Sequence, residues 1–138
     1  MNAEQIKMVQ DSWAKVTPLG SKATEIFYNR MFETYPELRG LFPDDMQNQH
    51  KLLFNMINMA VIGLTRLEDI VPAVQKLGQR HVQYGVSDED YGKVGASLLW
   101  TLEQALGDEW TPELAAAWTE CYGLLANTMT SAAAEVSN

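Results

Sequence analysis

The chain carries only two imidazoles, His50 and His81. His81 closes the run Leu77-Gly78-Gln79-Arg80-His81, with Tyr84-Gly85 soon after, so it falls near the end of an apolar helix. From there a ring nitrogen could hold a metal such as iron. A histidine in that setting is more commonly a partly buried structural residue, and spacing alone does not make it a ligand. His50 follows Gln49 on another apolar helix. Gln49 pairs with Leu53 at i,i+4 and His50 pairs with Phe54, so spacing leaves open which of the two faces inward. Tyr28, Phe42 and Tyr91 lie at intervals around these histidines and supply two hydroxyls and an aromatic face. Met46, Met56 and Met59 could offer soft sulfur, but their spacing assigns them to core packing. Cys121 is the sole cysteine, which excludes an internal disulfide and a thiolate metal cluster. There is no Gly-rich phosphate loop, no paired-carboxylate site, and no convincing Ser/His/Asp arrangement.

A chain of 138 residues suits one domain, spanning 1–138, with enough length for a real core. The hydrophobic fraction of 46% and the charged fraction of 20% are those of a soluble globular protein. A net charge of -8 removes the basic surface that nucleic acids or an anionic membrane would need. No signal-peptide core and no run of about 20 apolar residues is present, so the expectation is a cytoplasmic protein.

Apolar residues recur at helical spacing almost throughout, and no alternating strand pattern competes. Helices are predicted over Glu4–Val16, Ser21–Thr34, a short turn from Pro36 to Leu41-Phe42, and from Asp44-Asp45 to Thr65. A further helix opens at Glu68-Asp69 with Pro72 and reaches His81, stopped by Gly85. Ser87 caps the next, which Gly107 ends, and Thr111-Pro112 starts the last. The tail 132–138 is predicted to fray. Seven or eight short helices would then pack as one all-α domain.

The order Phe27-Tyr28-x-Arg30-Met31-Phe32, Pro36-Glu37-Leu38, Leu41-Phe42, Gln49-x-x-x-Leu53-Phe54, Leu77-x-x-x-His81 and Tyr91-x-x-Val94-Gly95 resembles the bacterial single-domain haemoglobins. It is equally similar to the globin module of flavohaemoglobins. Ala117-Trp118-x-x-x-Tyr122-Gly123-x-Leu125-Ala126 matches the same group, whereas Trp13 is more like neuroglobin and myoglobin chains. The resemblance implies a globin fold around one haem b, with His81 as the proximal iron ligand. It implies that Phe42 packs on the haem plane and that Leu53 and Val94 line the pocket. Tyr28 becomes the distal donor, Gln49 its distal partner, and Tyr91 a neighbour of the proximal imidazole. A backbone carbonyl near Leu77 would fix the His81 tautomer. Gln49 at the distal site leaves His50 facing solvent or a haem propionate, for which Lys51, Arg80 and Lys93 are also candidates. The proximal glutamate of flavohaemoglobins aligns with Ala133, and Glu135, two residues on, would face away.

The function so implied is reversible binding of oxygen, and of NO and CO, with high affinity and slow release, suited to storage or scavenging. A Tyr28 hydroxyl aimed at bound oxygen would contribute roughly 1.5–3 kcal/mol. An alternative is nitric oxide dioxygenation, with nitrate as product. Because the sequence ends at Asn138, that activity is expected to need a separate reductase. A third expectation is a haem-free or gas-sensing interaction module.

Overall fold

Caps and breakers set the helix boundaries, and they do so largely at the expected residues. The computed structural model describes residues 1–83 and 86–137, and the side chains of all of these except 82, 83, 88 and 135–137. Six α-helices run over Ala3–Val16 (α1), Ser21–Thr34 (α2), Gln47–Ile62 (α3), Leu67–Gln83 (α4), Asp88–Leu106 (α5) and Pro112–Ser137 (α6). Short 3-10 turns join them, the longest being Pro36–Leu41. No strand occurs among the described residues.

α1 opens one residue earlier than its apolar pattern suggests, because Asn2 and Gln5 close a capping box in which Asn2 Oδ1 accepts from the Gln5 amide at 2.8 Å. Ser87 and Asp90 do the same for α5, and Thr111 Oγ1 accepts from the Leu114 amide for α6. Gly107 ends α5 with φ at +55°, a conformation in which a side chain would be strained. The Asp44-Asp45 pair acts slightly outside its helix. Asp45 accepts from the Gln47 amide at 3.0 Å, so α3 starts after it rather than at it. The predicted fraying of the tail is not what is found. The backbone stays helical to Ser137; Met129 is buried against Gly78 of α4, and Ala132 is buried as well. The stop expected at Gly85 and the direction of Glu135 lie outside the described residues.

α4 lies along α6, α2 crosses α5, and α1 packs on α6 and α3. One large core unites Val9, Trp13, Phe27, Met31, Leu102 and Trp118. Its two indoles find polar partners inside it: Trp118 Nε1 donates to Ser12 Oγ at 2.9 Å and Trp13 Nε1 to Asn58 Oδ1 at 3.0 Å. A second, smaller cluster of Val74, Tyr91 and Met129 sits where α4 and the start of α5 meet α6. Among the described residues no helix is long and apolar enough to cross a membrane.

Candidate functional site

Pro72 stands at the sixth residue of α4, where its missing amide omits one helical hydrogen bond without ending the helix. Two turns on, Gly78 lets α4 come down onto α6. A methyl group there would overlap the Met129 carbonyl and stand 2.6 Å from its Cα. That contact fixes how deep the last turn of α4 sits, and with it His81. His81 Nδ1 lies 2.6 Å from the Leu77 carbonyl oxygen. A carbonyl can only accept, so Nδ1 carries the proton and Nε2 keeps its lone pair. Burial lowers the His81 pKa below 6.5, with the Leu77 carbonyl working against that shift. The neutral ring, the form able to ligate a metal, is therefore favoured. Its face stacks on Tyr91, centroids 6.1 Å apart, and the Tyr91 backbone carbonyl accepts from the Tyr122 hydroxyl at 2.6 Å.

A second group of residues gathers on α2, α3 and the turn between them. Tyr28 is buried, its ring 5.6 Å from Phe42 and 5.8 Å from Phe32. Burial pushes its hydroxyl up to about 12, and a polar contact with the Gln49 side chain acts in the opposite direction. Phe42 is held by Arg39, whose guanidinium donates to the carbonyls of Phe42, Pro43 and Asp44 while lying over the Phe32 ring. Leu53 and Val94 are half-buried against the large core, as Phe42 is.

The structure thus brings Tyr28, Gln49 and Phe42 together, and His81 with Tyr91. Leu53 and Val94 pack against the large core to which Tyr28 belongs, and Leu125 packs against both hydrophobic clusters. The neighbourhood of His50 differs from expectation. It turns from solvent to α2, where Nδ1 meets Thr24 Oγ1 at 2.8 Å and the ring lies 5.1 Å from that of Tyr28. Lys93 is not a spare cation for propionates: it pairs with Glu37 at 3.1 Å and lies 3.9 Å from Asp90. Lys51 and Arg80 are exposed. Met46 and Met56 pack on the large core as expected, but Met59 is largely exposed. Sequence reasoning missed the supporting roles of Arg39, Thr24 and Tyr122. The last was visible only as part of a motif, with nothing to say that it reaches Tyr91.

The donor set has its own implication. Among the described residues no group of three or more His, Cys, Asp or Glu could hold a metal ion. A metal at His81 would therefore take its other ligands from a cofactor. Phe42, Leu53 and Val94 are half-buried on the large core and Leu77 on the smaller cluster, apolar side chains of the kind a flat ring system would cover. The residues present fit a haem.

The sequence model of the globin family matches residues 25–129. The chain is a globin. It is 31% identical over 130 residues to a flavohemoprotein of Bacillus subtilis, an alignment covering 92% of this globin and 33% of that protein. The globin thus spans about a third of the length of such curated relatives. A solved bacterial globin from Campylobacter jejuni superposes with a TM-score of 0.87 at 30% identity, each chain covered to 99%. An engineered carbene transferase from Rhodothermus marinus, described as a candidate nitric oxide dioxygenase, shares the fold at a TM-score of 0.90 and 23% identity. That superposition covers 99% of this globin and 96% of the other chain. Globins are haem proteins.

Proposed function

We propose that residues 1–138 form one globin domain that holds a single haem b through His81 and reversibly binds oxygen, NO and CO. Storage or scavenging of oxygen suits it better than bulk delivery. The observation that carries this reading is the buried Tyr28 beside Gln49, together with a His81 ring oriented by its Nδ1 contact with the Leu77 carbonyl. A haem bound there supplies the iron to which a diatomic gas attaches.

This chain's residues do the rest. His81 presents Nε2, held in direction by the Leu77 carbonyl and by the Tyr91 face. The Gln49 side chain lies beside the Tyr28 hydroxyl, and an amide N–H turned to the phenol oxygen would leave the hydroxyl proton for the gas. Because burial raises the Tyr28 pKa to about 12, the hydroxyl stays a donor at any physiological pH. Phe42, Leu53 and Val94 exclude water, so that hydrogen bond forms in a low-dielectric pocket where it is strong. Replacing Tyr28 with Phe should speed oxygen release about tenfold or more, since a bond of this kind contributes roughly 1.5–3 kcal/mol. Stopped-flow displacement of oxygen by CO measures it, and an unchanged rate would remove Tyr28 from the mechanism.

A second reading is nitric oxide dioxygenation, the candidate activity of the Rhodothermus marinus protein that shares the fold. The Tyr28–Gln49 pair serves it equally well, and the difference is electron supply, from a reductase acting as partner. Steady NO consumption in the presence of a reductase supports the enzyme. A single stoichiometric turnover supports the binding protein.

A further inference from the structure

His50 stands next to Gln49 on α3, yet its ring points at α2. Thr24 Oγ1 donates its hydrogen to the Ser21 carbonyl at 3.0 Å. The same oxygen therefore accepts from His50 Nδ1 at 2.8 Å, which sets the Nδ1-protonated tautomer. The pair ties α3 to α2 one turn below Tyr28, and the His50 ring meets the Tyr28 ring nearly at right angles, 79° between planes. Tyr28 is thereby enclosed by Phe27, Phe32, Phe42 and His50. On its other side His50 borders an open groove of about 530 Å³ between Gly20-Ser21 and the Gln47, Lys51 and Phe54 edge of α3. The His50–Thr24 contact joins α3 to α2 beside Tyr28, in addition to the apolar packing between these helices, and places the Gln49 turn relative to the Tyr28 ring.

We infer that His50, tethered by Thr24, is a positioning residue for gas binding: it holds the Tyr28 ring and the Gln49 turn in register so that the Tyr28 hydroxyl meets the ligand. The inference rests on the oxygen-binding reading above. It also means that His50 is engaged with α2 and does not serve as an iron ligand.

The test uses the haem-loaded chain and four single variants, with the oxygen release rate and the C–O stretching frequency of the CO complex as readouts. A hydroxyl aimed at the ligand lowers that frequency. His50→Leu, which keeps bulk and removes the donor, should release oxygen about two- to tenfold faster, the range that one net hydrogen bond commands. It should also move the C–O stretch towards that of Tyr28→Phe. Asparagine places an amide N–H where Nδ1 stood, so His50→Asn should recover most of both properties. Thr24→Val should behave like His50→Leu, and the Thr24→Val/His50→Leu double variant should add little further. In the diamagnetic CO complex, ¹⁵N shifts of His50 should show a protonated Nδ1 and a bare Nε2, a readout that does not depend on the variants folding. An Nε2-protonated ring overturns the inference. So does a His50→Leu variant with parental release rate and C–O stretch while Tyr28→Phe changes both, or a His50→Asn variant no better than His50→Leu. If Tyr28→Phe itself changes neither readout, Tyr28 is not the donor to the gas, that part of the oxygen-binding reading falls, and this inference falls with it.

Discussion

Replacing Gly78 with Ala tests whether the α4–α6 contact sets the depth of the proximal histidine. The added methyl would overlap the Met129 carbonyl and stand 2.6 Å from Met129 Cα and 2.8 Å from its carbonyl carbon. Ordinary carbon–carbon contact is about 3.5–4.0 Å, so the helices must separate by roughly 1 Å. The obstruction is backbone, which has no rotamer to yield. Overpacking of this kind costs about 1–3 kcal/mol. For a domain this size that is a fall in melting temperature of roughly 3–12 °C. His81 lies less than one turn beyond Gly78 and would move with α4, so haem release should accelerate along with the loss of stability. Thermal melts and haem transfer to an excess of a competing haem acceptor measure the two effects. A Gly78→Ala protein that melts and retains haem like the parent would refute the argument that this glycine seats the proximal helix.

Other outcomes follow from the titratable groups. The folded-state pKa of His81 lies below its ordinary 6.5, so the unfolded chain binds the proton more readily. Its contribution to stability is present above about pH 6.5 and is lost as pH falls through the lower folded value. In the haem-free chain, melting temperature should therefore drop between pH 7 and pH 5, and less steeply in His81→Leu. Equal slopes in the two proteins would contradict this. Burial pushes the Cys121 thiol up to about 12, so it should resist alkylation at pH 8 in the native protein and react at once in denaturant. Rapid native labelling, counted by mass spectrometry, would show that α6 opens at Cys121.

Much of the fold was legible because its local signals agree with its tertiary packing. The boundaries of α2, the Ser87 and Thr111 caps and the Gly107 stop all follow from residues whose backbone preferences leave little choice. The end of α6 was not legible. An Ala-rich tail has no cap to read, and the helix is held where Met129 packs on Gly78 of α4, a contact between residues about 50 positions apart. The candidate site divides in the same way. That a carbonyl near Leu77 would orient His81 follows from helix geometry alone, four residues back. The choice between Gln49 and His50 does not, since both positions satisfy the same spacing. What the spacing could not show is where His50 points: its Nδ1 meets Thr24 Oγ1, 26 residues earlier, whose own hydrogen goes to Ser21. Arg39 was equally silent, because its three carbonyl partners meet it only when the turn carrying Phe42 closes.

The claim that His81 holds a haem is tested most directly by the visible absorption spectrum of the haem-supplemented chain, reduced and then exposed to CO, beside its His81→Gly variant. The account predicts one haem per chain with a histidine-ligated CO spectrum, its loss in His81→Gly, and its return when free imidazole is added. Failure of the parent chain to retain haem, or a His81→Gly spectrum identical to the parent's, would contradict it.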